Sequence, residues 1–383
     1  AKTCMATRRD GRLESPRNHS SFMPTISSRT RARRALAGSP PGTGRTAPLS
    51  PATRQGPAKR RYAVILGNLG NTRDRFCSGY KENPGTWEML RRAARIPHVT
   101  GIELVGTWDV RPGNARRMGQ ALDAAGLECV SIIPDLFADR RFWKGSYSAS
   151  DPKVRRLAME YTRRMCGVAE ELGCGTLNIW PGQDGYDYLL CADYERERAW
   201  LCEALATLAR EFPQLRFALE YKPKEPRTHS YVARMADTLL LAQETGCANV
   251  GVTIDTGHAF VAGENVGEAV VLARRAGDRL FHMHFNDNHG MWDDDMIVGT
   301  VHSVCYIEML YWLDRCGYQG WLSMDQYPYR EEAAEATGES IRWLRRFDEV
   351  VRRHRREIDA VVAANDAVAT SRFLRKVLVA SRG

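Results

Sequence analysis

The sequence lacks any run of about 18 apolar residues, the length that a membrane-spanning helix requires, so no segment is expected to cross a membrane. Its ten cysteines include no Cys-x-x-Cys pair and follow no regular spacing, which argues against a disulfide framework and against a structural zinc site. We therefore expect reduced thiols and a cytoplasmic protein. Glycine-rich phosphate loops of the GxGxxG or GxxxxGKS/T kind are also missing, which argues against nucleotide binding.

Acidic residues are scarce at the start of the chain. Residues 1–61 hold 14 Lys and Arg but only two acids, Asp10 and Glu14. The formal net charge of +9 therefore belongs to this segment, because the rest of the chain carries 41 basic against 44 acidic residues. Since a near-neutral folded part offers no basic groove, no nucleic-acid partner is expected.

The composition divides the chain into three parts. Residues 1–60 are rich in Arg, Ser, Thr, Pro and Gly and poor in large apolar side chains, which predicts a disordered tail. Such a composition is also typical of organelle transit peptides, and the alternative is an upstream extension before a later start at Met5 or Met23. Residues 61–350 are predicted to form the main domain, and residues 351–383 a helical C-terminal extension.

Short apolar segments alternate with helix-like sequence through the main domain. This alternation predicts an α/β fold of parallel strands and crossover helices, and its length fits a single (β/α)8 TIM barrel. The eight predicted strands are residues 62–67, 101–105, 129–133, 176–180, 217–222, 250–258, 280–286 and 321–326.

The last four predicted strands each end in residues that bind metal ions. In a barrel of parallel strands all carboxyl ends open on one face, where the active site lies. Five side chains are therefore expected to converge there: Glu220, Asp255, His258, His284 and Asp325.

Three consecutive aspartates, residues 293–295, follow the seventh predicted strand. Adjacent carboxylates repel one another unless a cation compensates, and a spacing of two lets Asp293 and Asp295 chelate one ion. A solvated charge run is the alternative. With the strand-end residues, this loop supplies about five carboxylates and two imidazoles, a mixture that suits Mg, Mn or Co better than structural zinc.

Two pairs of polar residues share a strand face because side chains alternate along a strand. Glu220 and Lys222 form the first pair, and Lys222 is either a plain ion-pair partner or a residue that acts on substrate. His282 and His284 form the second pair. His284 lies nearer the strand end and is the predicted ligand, whereas His282 could equally be a hydrogen-bonded core histidine.

The chain resembles the xylose isomerase-like barrels over roughly residues 62–350, in particular xylose isomerase and L-rhamnose isomerase. The stretches that carry the resemblance are residues 135–145 (DLFADRRFWKG), 180–186 (WPGQDGY), 220–226 (EYKPKEP), 284–287 (HFND), 293–295 (DDD) and 325–326 (DQ). The histidine at position 284 resembles the L-rhamnose isomerase branch of the family, because xylose isomerase has an aspartate at the corresponding position.

The resemblance implies a metal-dependent sugar isomerase that interconverts an aldose and a ketose with two divalent ions per site (Mn, Mg or Co). The first ion would be held by Glu220, Asp255, His284 and Asp325. The second would be held by His258, Asp293 and Asp295, with Asp255 bridging. Lys222 would hydrogen-bond the carbonyl oxygen of the substrate, and the predicted catalytic residues are Lys222, Glu220 and Asp325.

The resemblance also implies how a sugar is bound. Trp180 and Phe137 would line the sugar, and Phe76 would reach into the site of a neighbouring subunit, which implies a homo-oligomer, a dimer or tetramer. Xylose isomerases carry a ring-opening histidine after the second strand, and this sequence has none there. Ring opening would fall to Asp109 or to His289, a predicted substrate-binding residue, or the substrate would be an open chain.

Two other functions fit parts of the pattern. A ketose 3-epimerase on the same barrel usually carries one metal ion and two glutamates, whereas here Asp325 holds the fourth position. A catalytically silent barrel that binds a sugar or a partner protein would explain the missing histidine, but the retained Lys222 and complete ligand set argue against it.

Overall fold

The eight predicted apolar segments form one closed barrel in which each strand runs parallel to its neighbours. The structure, a computed structural model, describes residues 59–70, 77 and 79–379. The barrel strands follow chain order around the barrel, so the predicted (β/α)8 fold is confirmed. They are β1 (Arg61–Ile65), β2 (Val99–Val105), β3 (Glu128–Ile133), β4 (Thr176–Ile179), β6 (Arg216–Glu220), β8 (Val250–Asp255), β9 (Leu280–Phe285) and β10 (Trp321–Met324).

The barrel strands are buried on both faces, which explains why they read as continuous apolar runs instead of alternating ones. All six residues of β8 are buried, and so are the last four of β6 and of β9. The core continues outward from the barrel to the apolar faces of the surrounding helices. Polar side chains inside the barrel are therefore exceptional and point to the site.

Helices surround the barrel. In the described part of the chain they are α1 (Thr86–Ala93), α2 (Ala115–Ala125), α3 (Pro152–Glu171), α4 (Tyr194–Glu211), α5 (Met235–Glu244), α6 (Thr256–Val261), α7 (Val266–Arg275), α8 (Ser303–Cys316), α9 (Ala333–Arg353), α10 (Arg355–Ala364) and α11 (Ala367–Leu378), with 3₁₀ turns at Leu66–Leu69 and Arg140–Phe142. Local chemistry sets their ends: the Asp151 carboxylate accepts from the N–H of Lys153 at the start of α3, and Gly126 ends α2 in the left-handed conformation. None of these helices is long and apolar enough to cross a membrane.

A small antiparallel ribbon lies outside the barrel and was not predicted. Its strands, β5 (Gly185–Tyr186) and β7 (His229–Ser230), join the loop after β4 to the loop after β6. The buried carboxylate of Asp184 accepts hydrogen bonds from the N–H groups of Ser146 and Ser148, which ties the loop after β3 to the same place. These loops are thereby fixed over the carboxyl ends of the strands.

The C-terminal part of the described chain is helical, as predicted, but the helix is interrupted. After α9 the chain breaks at His354, continues as α10, turns at Asn365 with φ of 50° and ends in α11. Ile358 and Phe373 are the buried apolar anchors of the last two helices. The predicted boundary at residue 350 falls within α9 and stays a prediction. Residues 1–58 of the predicted tail (residues 1–60) and Phe76 lie outside the described residues.

Candidate metal centre and substrate cavity

The strand ends place four predicted ligands on one rim of the barrel. Glu220 and Asp255 are the last residues of β6 and β8, His284 is the penultimate residue of β9, and Asp325 directly follows β10. The parallel register pairs Asp255 with His284 on adjacent strands. These four residues form one group in which one ligand atom of each lies within 4.8 Å of the others.

The imidazole of His284 stands between two carboxylates of this group. Its Nδ1 lies 3.4 Å from Oε1 of Glu220 and 3.3 Å from Oδ2 of Asp325. His284 is fully buried, and its Nδ1 has no hydrogen-bond partner. Burial lowers the pKa of His284, but the carboxylates of Glu103 and Glu220 outweigh it and raise this pKa well above its usual value, so a cation that binds at Nδ1 would take the place of a proton.

Three amide side chains hold the carboxylates of this group in place. Asn178 donates to Glu220 at 2.7 Å, Asn286 donates to both oxygens of Asp255 at 3.0 and 3.1 Å, and Asn68 donates to Asp325 at 3.1 Å. Sequence reasoning missed these supporting residues. Of the three, Asn178 could have been recognised from the sequence, because it lies inside an apolar strand and a buried amide needs polar partners.

A second group shares Asp255 with the first. Ligand atoms of Asp255, His258 and Asp293 lie within 4.8 Å of one another, and Nε2 of His258 is 3.1 Å from Oδ2 of Asp293. Asp255 also caps α6 by accepting from the N–H of His258 at 2.8 Å, which explains the spacing of three between them. The arrangement matches the predicted second ligand set in three of its members.

The three aspartates of residues 293–295 do not all face the same way. Asp293 and Asp295 line the cavity, whereas Asp294 turns away and accepts from the N–H of His289 at 3.1 Å. Asp295, at φ of 52°, does not join the ligand group that contains Asp293. Its place as a ligand of the second ion stays a prediction.

The carboxylates at this rim repel one another. Burial, together with the carboxylates of Asp293 and Asp325, raises the pKa of Asp255 to about 7 against the opposing effect of His258. Burial and the same two neighbouring carboxylates raise the pKa of Asp295 well above its usual value. Carboxylates in such mutual repulsion favour either a proton or a divalent cation between them.

The imidazoles respond in the opposite direction. Burial alone would lower the pKa of His258, but the carboxylates of Asp255 and Asp293 outweigh it and raise this pKa to about 9. Burial also opposes ionisation of Glu220, yet the charges of His284 and His258 hold its pKa at about 2. The rim is thus a closely coupled set of acids and imidazoles.

The donor set fits hard divalent cations. Buried ligand atoms without a hydrogen-bond partner are Nδ1 of His258, Nδ1 of His284 and Oδ1 of Asp293, all within the two groups. Oxygen-rich sites with one imidazole each suit Mg, Mn or Co. The residues that would hold such ions are those of the two groups, with Asp255 common to both.

Lys222 lies beside the second group. Its Nζ is 2.8 Å from Oδ2 of Asp293 and 2.9 Å from Oε2 of Glu225, and these carboxylates outweigh the effect of burial so that the pKa of Lys222 is raised. The same Nζ lies 5.2 Å from the centre of the Trp180 ring. Strand β6 ends at Glu220, so Lys222 reaches the cavity from the loop that follows the strand.

An aromatic wall faces the metal ligands across a cavity of about 810 Å³. Phe137 packs on Trp180 with ring centres 4.6 Å apart and on Trp108 at 5.8 Å. Phe137 and Trp180 were predicted to line the sugar, and Trp108 was missed. The position of Trp108 in the loop after the second strand could have predicted its place in the cavity wall.

The two predicted ring-opening residues are placed differently. Asp109 lines the cavity and is 3% exposed; its Oδ2 accepts from the N–H of Val105 at 3.0 Å, and its Oδ1 has no hydrogen-bond partner. Burial raises the pKa of Asp109 to about 7. His289 is exposed and does not lie among the described residues of the cavity wall.

The fold and the rim together define a class of protein, a (β/α)8 barrel with carboxylate and imidazole groups at the carboxyl ends of its strands that could hold metal ions. The family described as xylose isomerase-like TIM barrel matches residues 90–347. This chain belongs to that family, which confirms the resemblance found in the sequence.

Known proteins support this assignment. A xylose isomerase of Thermus thermophilus is 30% identical over 292 residues, which cover 72% of this chain and 75% of the relative. A xylose isomerase of Thermus caldophilus matches with the same identity and coverage. Among solved structures, an L-ribulose 3-epimerase matches with a TM-score of 0.62 and 16% identity, covering 78% of this chain and 98% of its own. A D-tagatose 3-epimerase-like protein matches with a TM-score of 0.58 and 21% identity over 76% and 99%, and at these identities the two structures show the fold alone.

Proposed function

We propose that this chain is a metal-dependent sugar isomerase that interconverts an aldose and a ketose. The observation that carries the proposal is the pair of ligand groups that share Asp255 beside Lys222, opposite an aromatic wall. The 30% identity to xylose isomerases supports the same reaction class. Two divalent ions bound there would act as Lewis acids toward the carbonyl oxygen and the neighbouring hydroxyl of the sugar.

The chain's own residues then have distinct roles. Lys222 donates a hydrogen bond to the carbonyl oxygen, where negative charge develops during the reaction. Phe137 and Trp180 pack on the C–H face of the sugar and keep water from it. Glu220 and Asp325 flank His284 and are proposed to hold the first ion together with it.

Ring opening is assigned to Asp109. Opening a cyclic sugar removes the proton of the anomeric hydroxyl and delivers a proton to the ring oxygen. A carboxyl group with a pKa of about 7 and one unpartnered oxygen in the cavity wall can give and take such protons near neutral pH.

The cavity favours an unphosphorylated sugar. Among the described lining residues, Lys222 is the one lysine or arginine, and it already contacts Asp293 and Glu225. A phosphate group would bring further negative charge into the cavity, where no other lysine or arginine of the described lining is available to bind it.

A ketose 3-epimerase is the second candidate. The first ligand group is complete by itself with four ligands, and Asp295 lies outside the second group, as a centre with one ion would allow. An epimerase inverts a carbon of a ketose without forming an aldose, so the product separates the two functions.

The test is a screen of tetroses to hexoses, each with and without phosphate, using the Mn-loaded chain and the Lys222→Met variant as control. Products resolved by NMR should show an aldose–ketose pair from an unphosphorylated sugar. Conversion of a ketose to its 3-epimer alone would favour the second candidate, and no conversion of any sugar would overturn the proposal.

A further inference from the structure

A carboxylate lies inside the barrel, beneath the rim of metal ligands. Glu103 occupies the middle of β2, in the apolar run Gly101-Ile102-Glu103-Leu104-Val105, and is 0% exposed. No step of the proposed reaction uses it. A fully buried carboxylate is costly unless charged or polar partners surround it, so its partners indicate what it does.

Glu103 is surrounded by side chains from three other barrel strands. The hydroxyls of Ser131 on β3 and Ser323 on β10 each donate to one of its oxygens. Nε2 of His282 lies 2.9 Å from Oε1, and Nε2 of His284 lies 3.1 Å from Oε1 and 3.2 Å from Oε2. Two serine hydroxyls and the imidazole of His284 hydrogen-bond this carboxylate, and the imidazole of His282 lies beside it.

The contact with His284 determines how that imidazole is presented. A neutral imidazole carries one N–H, and the nitrogen that faces a carboxylate is the one that keeps it. Nε2 faces Glu103, so the lone pair falls on Nδ1, which lies among the carboxylates of Glu220 and Asp325 without a hydrogen-bond partner. His282 packs edge-on against His284, with ring centres 5.0 Å apart, and limits its rotation.

We propose that Glu103 is a positioning residue for one of the two ions: it holds His284 in the Nε2–H form and aims Nδ1 at the first ligand group. The inference rests on the metal centre of the proposed function. Carboxylates that hold ligating histidines in this way change metal affinity about 10- to 100-fold when they are removed.

The second group has no counterpart of Glu103 among the described residues. Nε2 of His258 contacts Asp293, which is itself a predicted ligand, and Nδ1 of His258 faces Glu220 at 3.3 Å. Removing Glu103 should therefore weaken one ion selectively. A residue that merely stabilised the barrel would affect both ions or neither.

The test is titration of the chelator-treated chain with Mn(II), read by electron paramagnetic resonance of the free ion. Glu103→Gln keeps the size of the side chain and removes its charge, and should weaken one of two ions about 10- to 100-fold while the other changes less than about twofold. Asp184→Asn is the matched control, because it neutralises another fully buried carboxylate whose partners, Ser146 and Ser148, lie away from the ligands. Equal weakening of both ions, or unchanged affinity in Glu103→Gln, would overturn the proposal.

A second measurement needs no variant at Glu103. Nitrogen-15 NMR of the histidines in the Mg-loaded chain, with the His284 signal assigned by its loss in His284→Asn, should show the Nε2–H form. Finding the proton on Nδ1 would overturn the inference even if Glu103→Gln fails to fold. A native chain that binds two ions but converts no sugar would remove the proposed function and leave this assignment standing.

Discussion

The ammonium group of Lys222 lies 2.8 Å from Oδ2 of Asp293, the oxygen that also faces Nε2 of His258 at 3.1 Å. Lys222, which is proposed to hold the substrate carbonyl, thus contacts the same oxygen atom as His258 of the second ligand group. Oδ1 of the same carboxylate has no hydrogen-bond partner. Substrate and ion are therefore expected to bind in adjoining positions around Asp293.

Replacing Lys222 should separate catalysis from metal binding. Lys222→Met removes a donor to the developing charge, so kcat should fall about 10²- to 10³-fold. Both ions should still bind, because no ligand is lost. Lys224→Met is the matched control: Nζ of Lys224 donates to the carbonyl of Met291 in an exposed contact, and its loss should leave kcat within about twofold. A kcat within about tenfold of the native value in Lys222→Met would contradict the assigned role.

Metal affinity should rise with pH. Ions bind the deprotonated ligands, and the pKa values of Asp255 and His258 are about 7 and about 9 before an ion binds. Below pH 7 both side chains hold protons that binding must displace, so affinity should fall steeply between about pH 7 and about pH 5.5. Calorimetric titration with Mn(II) in buffers of different ionisation enthalpy measures the released protons; binding without proton release at about pH 6 would count against this prediction.

Asp109 should make folding less favourable at high pH. The pKa of Asp109 is raised from 3.8 to about 7 in the folded chain, so the fold favours the protonated carboxyl group. The resulting contribution to the free energy of unfolding is complete below the pKa that Asp109 has in the unfolded chain, and it is lost as the pH rises through 7. Asp109→Asn removes this loss. In chelator, urea unfolding should show the variant more stable than native at about pH 8.5, by up to about 4 kcal/mol, and no such gain at about pH 4. The exposed Asp123→Asn serves as control, and an equal difference at both pH values would show that Asp109 does not titrate.

The same substitution should distinguish cyclic from open-chain substrates. If Asp109 transfers protons during ring opening, Asp109→Asn should lower kcat/KM for aldoses that form pyranose rings by about 10²-fold or more. Glyceraldehyde is too short to close a ring and should be affected far less. The measurement is kcat/KM on both substrates. An equal decrease on the two would contradict a role in ring opening and indicate a structural role for Asp109.

The sequence was sufficient for the barrel because each buried strand is a short apolar run between helical segments, as in 250–255 and 280–285. It was also sufficient for the rim, because topology alone brings the carboxyl ends of parallel strands together. Asp255, His284 and Asp325 could be placed side by side without any knowledge of the loops.

Loop geometry and inward-facing partners were harder to predict. His289 was assigned to the substrate from its position in a loop, whose path has no periodic pattern to fix it, and the structure leaves it exposed. The β5–β7 ribbon has two residues in each strand, too few to show an alternation. Glu103 was overlooked although a carboxylate within an apolar strand is a readable signal, because its partners lie on strands distant in sequence.

The count of bound ions tests the central claim most directly. Mn(II) titration of the chelator-treated chain should give two ions per chain, with one lost in His284→Asn and the other in His258→Asn. Binding of a single ion in the native chain would favour the epimerase. No saturable binding, or binding unchanged when both histidines are replaced, would contradict the proposal that this rim is a metal centre.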